Sequence, residues 1–292
     1  MFPPYHLEQQ IMLHPDLAKG MFLLTTLKIR YFFLFGLLVF AGVLLVFDID
    51  NDDLFMFGLS YTVLGFYPII WMRHQLKKQG MTFSEIIRPQ GTLNQLPRLI
   101  GIIVLLIIFS LGAFWLLNFA LSYTFPSAVD FLLQEDELFP EQGLLFFFMV
   151  LYICIIGPVA EELIFRGLFL NRLSAKFKSP IAAIIIANGM FAILHMDPIG
   201  AFAFGVILSL IYFKTRNLWW PILLHILNNS FAIALMLFNI PDPAFLAYTN
   251  IDEVRRAWLP NTLFVILTAV LVIVLIRKKS KEVDWDEIRR AT

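Results

Sequence analysis

Residues 144–170 form the run LLFFFMVLYICIIGPVAEELIFRGLFL, which is apolar except in its second half. Its length predicts a membrane-spanning helix, because about 20 apolar residues in helical conformation cross a bilayer core of roughly 30 Å. Glu161, Glu162 and Arg166 interrupt the run, and a charge at the bilayer centre costs roughly 2.5–3.5 kcal/mol unless it faces a cavity or a partner. The preceding Gly157–Pro158 pair is predicted to kink the helix and to open room for water. The stretch therefore predicts a membrane helix that carries a polar site.

The composition of the whole chain agrees with a membrane location. Of the 292 residues, 59% are hydrophobic and only 15% are charged, whereas soluble domains have about 25% charged residues. We therefore expect an integral membrane protein in contact with the lipid bilayer. The formal net charge is zero, which argues against a nucleic-acid partner because no excess of Lys and Arg is available for phosphates. The single cysteine, Cys154, excludes an intramolecular disulfide and a cysteine metal cluster.

Seven further apolar runs are long enough to be considered as membrane helices. The expected fold is thus all-α, a polytopic transmembrane helix bundle of about eight spans. The sixth run is the shortest of them. The eight candidate spans are residues 31–48, 54–72, 99–123, 144–170, 180–196, 199–213, 219–239 and 260–276.

The charges between these runs predict the orientation of the bundle. Loops 48–53 and 134–142 are acidic and contain no basic residue, whereas basic residues follow the even-numbered runs. On the positive-inside rule the basic loops, and with them both termini, are cytoplasmic. Arg255 and Arg256, before the eighth run, depart from this pattern.

We divide the chain into three regions. Residues 1–140 are interpreted as an accessory membrane region of about three spans, residues 141–245 as the catalytic core, and residues 246–292 as a final span with a basic cytoplasmic tail. Within the first region, segment 79–95 is too polar to span a membrane. It is predicted to contain a short cytoplasmic or interfacial helix.

Helix geometry sorts the charged residues of the fourth span. Glu162 and Arg166 are four residues apart, so they share a helix face and are predicted to form an ion pair. Glu161 is turned about 100° away from Glu162 and has no such partner.

Two later spans also carry polar residues at predicted membrane depth. His195 follows Phe191 by four residues, as Asn229 follows His225, so each pair is expected on one helix face. At about 1.5 Å of rise per residue, Glu161, His195 and Asn229 lie roughly 15–22 Å from the cytoplasmic ends of their spans, and His225 roughly 9 Å. These side chains could therefore meet in one cavity. Asn188 in the fifth span is interpreted as a helix-packing amide.

This set of side chains allows two kinds of chemistry. A carboxylate and a histidine around one water can act as general base and orienting partner, while a second histidine and an amide can donate to a developing oxyanion. Together they would hydrolyse a peptide bond without a covalent intermediate. Alternatively, Glu161, His195 and His225 could bind Zn²⁺, although the H-E-x-x-H signature is absent. Neither G-x-S-x-G nor GxGD occurs, so a serine or aspartyl intramembrane protease is not expected.

Three motifs carry a resemblance to a known family. The segments 161-EELIFR-166, 191-FAILH-195 and 225-HILNN-229 match EExxxR, FxxxH and HxxxN in order. Residues 144–240 thereby resemble the CPBP intramembrane proteases, which include CAAX-processing and bacteriocin-processing (Abi, Rce1-like) proteins.

The resemblance implies roles for the motif residues. Glu161 would activate water with His195, and His225 with Asn229 would serve the oxyanion or a metal. Glu162, Arg166 and Phe191 would support them. It also implies a membrane-anchored or hydrophobic peptide or protein substrate, with a prokaryotic cytoplasmic membrane as the expected location.

Two other functions remain open at the level of the sequence. One is a non-proteolytic membrane scaffold or immunity protein. The other is a proton-coupled carrier that uses Glu161 and the histidines as a relay. Carriers more often consist of two related halves, and the sequence has no evident internal repeat.

Overall fold

The computed structural model describes residues 24–47, 49, 52–89, 95–134, 143–238 and 248–291. These residues form helices joined by short turns, and no strand occurs among them. Six of the helices are long and apolar enough to cross a membrane. The predicted all-α membrane bundle is therefore confirmed.

Twelve helices are numbered in chain order. They are α1 (Ile29–Val46), α2 (Asp53–Lys78), α3 (Phe83–Ile86), α4 (Leu96–Thr124), α5 (Pro126–Gln134), α6 (Leu144–Phe177), α7 (Pro180–Ala192), α8 (Pro198–Thr215), α9 (Trp219–Leu237), α10 (Ile251–Arg256), α11 (Trp258–Ser280) and α12 (Trp285–Ala291).

Each of the eight predicted spans corresponds to a helix, but their lengths differ from expectation. The sixth run, expected to be the shortest, forms the 18-residue helix α8. The fifth run forms only the 13-residue helix α7, which is about 20 Å long. The number of true spans and the cytoplasmic position of the termini stay predictions.

The predicted fifth span, 180–196, is wrong at its C-terminal end. Helix α7 stops at Ala192, so His195 lies in the turn that follows and not on the helix itself. Asp197 precedes Pro198, and a residue before proline is disfavoured in helical conformation. The Asp197 carboxylate instead caps α8 by accepting the backbone N–H of Gly200.

The turn after α7 exposes three apolar side chains. Ile193, Leu194 and Met196 are 77%, 73% and 71% exposed. An exposed apolar turn of this kind is suited to contact with hydrocarbon rather than water. The tip of the α7–α8 hairpin therefore fits a position inside the membrane.

Two long helices contain wide π-helical turns directly before a proline. In α6, the N–H of Gly157 bonds the carbonyl of Tyr152, five residues back, and Pro158 follows. In α2, Tyr67 bonds Thr62 in the same way before Pro68. Proline has no N–H and its ring displaces the carbonyl four residues earlier, so the chain widens there. Where a kink was predicted at Gly157–Pro158, the structure thus has a change from α-helical to π-helical hydrogen bonding.

A large buried core joins the helices, and a smaller cluster lies around Trp115 and Val254. The large core includes residues from Leu24 to Ile288 and so draws on all three regions predicted from the sequence. Helix α8 is the most buried of the six long helices, and α1 is the least buried.

The short helix α3 confirms that segment 79–95 contains a helix, with a capping box of Thr82 and Glu85 at its start. Its cytoplasmic or interfacial position stays a prediction, and residues 90–94 lie outside the described residues. The division into three regions stays a prediction.

Candidate active site

Glu162 is the centre of a buried polar cluster. Its side chain is fully buried, and its Oε1 atom accepts a hydrogen bond from Arg166 Nη1 at 2.8 Å. The same oxygen lies 2.8 Å from His225 Nδ1. The predicted Glu162–Arg166 pair is therefore confirmed, and the pair is also linked to α9.

Arg166 extends this cluster to two further helices. Its Nη2 atom donates to Asn188 Oδ1 on α7 and to the carbonyl of Gly205 on α8, both at 3.2 Å. Asn188 in turn donates to Ser209 Oγ at 3.0 Å. The predicted helix-packing role of Asn188 is thus observed, because its amide joins α6, α7 and α8.

Glu161 faces two histidines across a small gap. Its Oε2 atom is buried and has no hydrogen-bond partner. His195 Nε2 lies 3.9 Å from that oxygen and His225 Nε2 lies 3.8 Å from it. The structure therefore brings together these three residues, which come from α6, the α7–α8 turn and α9.

Hydrogen bonds on the far side of each ring orient the two histidines. His195 Nδ1 is 2.8 Å from the Phe191 carbonyl, and His225 Nδ1 is 2.8 Å from the Glu162 carboxylate. Carbonyl and ionised carboxylate oxygens only accept, so both Nδ1 atoms act as donors. In the neutral imidazoles each Nε2 then presents a lone pair towards Glu161.

Phe191 packs against the Arg166 guanidinium and against the imidazole rings of His195 and His225. The Arg166 guanidinium lies 4.9 Å from the centre of its ring. The ring of His195 is 4.2 Å away and tilted, and that of His225 is 5.9 Å away and edge-on. The predicted supporting residue therefore fixes the position of both imidazoles by packing.

Asn229 lies four residues after His225 on α9, as predicted, but its hydrogen bonds go to other residues. Its Nδ2 atom donates to the Ile153 carbonyl of α6 at 2.9 Å, and its Oδ1 accepts from Asn228. His225 contacts the two glutamates instead. A primary amide has two N–H groups, so one of those on Asn229 is still available to a ligand.

Sequence reasoning missed two residues of α8. Phe204 packs edge-on against His225, with ring centres 5.2 Å apart. At Gly205 an added Cβ would lie 2.3 Å from Asn188 Oδ1, so only glycine allows this close approach. A glycine inside an apolar span is typical of helix–helix contacts. Gly205 was therefore the signal in the sequence that could have indicated this contact.

The expected zinc ligands lie slightly farther apart than the donors around a bound zinc ion, and zinc binding stays a prediction. A tetrahedral ion about 2.0–2.2 Å from each donor would bring neighbouring donor atoms to roughly 3.4 Å of one another. The observed separations of 3.8 and 3.9 Å are wider. Among the described residues, no three His, Cys, Asp or Glu side chains are placed to hold a metal ion.

The fold and the site together define an α-helical membrane protein with a glutamate–histidine centre between its helices. Residues 143–231 match the family described as type II CAAX prenyl endopeptidase Rce1-like. This segment is therefore similar to the Rce1-like proteases, in agreement with the CPBP resemblance of its three motifs.

Three curated proteins are similar to parts of the chain. The membrane-embedded CAAX protease MroQ of Staphylococcus aureus (strain USA300) is 37% identical over 99 residues, covering 31% of this chain and 40% of that protein. A Bacillus subtilis (strain 168) protein described as a membrane peptidase, YdiL, is 30% identical over 92 residues, covering 30% and 37%. The uncharacterized YyaK of the same strain is 25% identical over 235 residues, covering 73% and 72%.

These similarities differ in extent. The chain spans about two fifths of the length of MroQ and YdiL. No solved structure matches it significantly.

Proposed function

We propose that this protein is an intramembrane endopeptidase that hydrolyses a peptide bond of a membrane-associated substrate. The observation that carries the proposal is the Glu161 carboxylate, which is unbonded at Oε2 and faced by the Nε2 atoms of His195 and His225. Its location inside a segment similar to the Rce1-like proteases supports the same reaction.

Water is the nucleophile in this proposal. Glu161 accepts one proton of a water held between it and His195, and the water oxygen forms a bond to the carbonyl carbon of the peptide. His195 accepts a hydrogen bond from the second proton and so orients the attack. When the carbon–nitrogen bond breaks, Glu161 returns its proton to the leaving amine.

His225 and Asn229 stabilise the oxyanion formed by this attack. The Nδ1–H group of His225 donates to Glu162. Its Nε2 atom can therefore donate a hydrogen bond only when the ring is a protonated imidazolium. The Glu162 carboxylate, 2.8 Å from Nδ1, stabilises that charge. The second N–H of Asn229 provides a further donor.

The substrate class follows from the position of the site and from the relatives. Because the centre lies between membrane helices, the scissile bond must enter the bilayer. MroQ is named a CAAX protease, and we propose processing of a CAAX-type tail or of a bacteriocin-type or leader-type peptide. A bacterial cytoplasmic membrane is the location that the bacterial relatives favour.

Cleavage of a panel of membrane-tethered peptides by the purified protein tests this function. We expect Glu161→Gln to lower turnover by about 10²-fold or more, the usual contribution of a general base, and to leave the unfolding temperature close to that of the parent. Glu282→Gln, the same change at the protein surface, is the matched control and should cleave normally. Near-normal cleavage by Glu161→Gln would overturn the mechanism. Failure of the parent on every peptide would favour a scaffold.

Metal dependence is tested with the same assay. We expect cleavage to continue in the presence of a chelator, because Glu161 and the histidines activate water directly. Stoichiometric zinc in the purified protein, with activity lost on chelation and restored by zinc, would contradict this expectation.

A further inference from the structure

A second cavity lies between α1 and α2, outside the glutamate–histidine centre. Its volume is about 400 Å³. It is formed where α1 begins and α2 ends, at helix ends predicted to be cytoplasmic, and it shares no residue with the candidate active site. Its lining includes Lys28, Tyr31, Phe35, Trp71, Lys78 and Gln79.

The charge at this cavity is entirely positive. Lys28 and Lys78 come from different helices, and no Asp or Glu is among the lining residues. Both lysines are exposed at the mouth. Two ammonium groups at one cavity, with no carboxylate among its described lining residues, favour an anionic ligand.

Two buried polar atoms of the lining residues have no hydrogen-bond partner among the residues that the structure describes. Trp71 is only 7% exposed, and its indole Nε1 has no hydrogen bond. Indole nitrogen is a donor only, so it requires an acceptor from a ligand or a solvent molecule. The Oε1 atom of Gln79 is also unpaired and requires a donor such as a hydroxyl group. A ligand with both acidic oxygens and hydroxyl groups satisfies the two atoms together.

An apolar wall continues from the cavity towards lipid. Tyr31 and Phe35 are four residues apart on α1 and are 40% and 49% exposed, so they form one strip on the outer surface of the helix. A free phosphate ion would leave this strip uncovered. A ligand with an acyl chain would cover it.

We propose that this cavity binds an anionic glycerophospholipid from the cytoplasmic leaflet. Lys28, Lys78 and the Trp71 N–H bind the phosphate, and a headgroup hydroxyl donates to Gln79 Oε1. One acyl chain lies along Tyr31 and Phe35. Basic pockets between membrane helices at the cytoplasmic interface are suited to such headgroups, and aromatic side chains are suited to the same depth.

Thermal unfolding of the purified full-length protein in detergent tests this proposal. The three additions are phosphatidylglycerol, phosphatidylcholine of the same chain length, and inorganic phosphate. We expect a higher unfolding temperature with phosphatidylglycerol alone. Equal stabilisation by phosphatidylcholine would show that the site does not recognise anionic charge. Equal stabilisation by phosphate would show that the site does not recognise the acyl chain.

Substitutions of the lysines that line the cavity distinguish binding at a specific site from nonspecific attraction of the anionic lipid to positive charge. Lys28→Gln and Lys78→Gln should each weaken phosphatidylglycerol binding by about tenfold or more, as expected for hydrogen bonds to a charged group. Lys77→Gln is the control, because Lys77 is exposed beside Lys78 but does not line the cavity. An equal loss in Lys77→Gln would overturn the proposal.

Trp71→Phe gives an independent test that does not depend on charge. It keeps an aromatic ring but removes an N–H that has no hydrogen-bond partner among the described residues. Stability without lipid should therefore stay close to that of the parent, while phosphatidylglycerol binding falls. Unchanged binding in Trp71→Phe would overturn the assigned contact. Cleavage by the Glu161 centre is a separate readout, so either proposal can fail without the other.

Discussion

Two ionic clusters of this molecule use a glutamate in opposite ways. Inside the bundle, Glu162 has one permanently charged partner, Arg166, and both side chains are fully buried. At the protein surface, Glu282 has three cationic partners on three helix ends, at 2.6–3.3 Å, and is partly exposed. They are Arg98, Lys214 and Lys279.

The comparison shows that burial decides the importance of an ion pair more than the number of partners does. Water and salt stabilise the surface charges almost as well as their partners, so such pairs contribute little to stability. In the interior an unpaired charge has no such alternative, and removal of its partner is costly. The cluster with fewer cations should therefore be the more sensitive to mutation.

The largest effect on stability is expected for Glu162→Gln. Arg166 would remain charged in the interior, and the free energy of unfolding should fall by about 3–5 kcal/mol. Unfolding of the purified protein in detergent measures this change. The loss should hardly depend on salt concentration, because buried pairs are poorly screened.

A double substitution provides the control for this prediction. Glu162→Gln with Arg166→Gln removes both charges, so it should recover part of the stability lost in the single variant. Additive losses in the double variant would show that the two side chains do not act as a pair.

An intermediate effect is expected where the backbone of α8 meets the buried cluster. Gly205→Ala would place a methyl group against Asn188 Oδ1, and such overpacking typically costs about 1–3 kcal/mol. Gly189→Ala on α7 is the matched control, because an added Cβ there meets no atom within 4 Å. That substitution should be neutral or slightly stabilising, since alanine is the better helix former. Equal stability of the two variants would contradict the close packing of α8.

The smallest effect is expected at the surface cluster. Burial acts to raise the pKa of Glu282, but hydrogen bonds and charges from Lys214 and Lys279 outweigh it and lower the pKa overall. A lowered pKa stabilises the fold above the unfolded value of about 4.3 and loses this contribution as the pH falls through the native value. Glu282→Gln should therefore cost less than about 1 kcal/mol at neutral pH, and the difference should disappear in acid. A loss as large as that of Glu162→Gln would invalidate the comparison.

Most of the fold could be predicted because lipid imposes strong rules on sequence. Apolar runs of sufficient length located the helices of all eight predicted spans. The four-residue spacing of Glu162 and Arg166 predicted their contact. The end of α7 was misplaced because residues 193–196 are as apolar as the helix before them. Only the restriction imposed by Pro198 and the cap formed by Asp197 could have indicated the turn.

The glutamates and histidines of the candidate site were predictable from the sequence, but the contacts of His225 with the two glutamates were not. Sequence periodicity relates residues on one helix, so it associated His225 with Asn229. The contacts of His225 with Glu161 and Glu162 depend instead on how α9 packs against α6, which no local pattern records. Phe204 and Gly205 were missed for the same reason, since an ordinary apolar residue acquires its role only from its neighbours.

The short length of α7 has a consequence for the lipid around the protein. The helix covers about 20 Å, whereas the surrounding hydrocarbon is roughly 30 Å thick, and its apolar tip at Ile193, Leu194 and Met196 is exposed. Such hydrophobic mismatch is relieved when nearby acyl chains compress and the bilayer becomes locally thinner. A thinner bilayer above this tip shortens the path of water to Glu161. The thickness of the membrane therefore influences the access of water to the site.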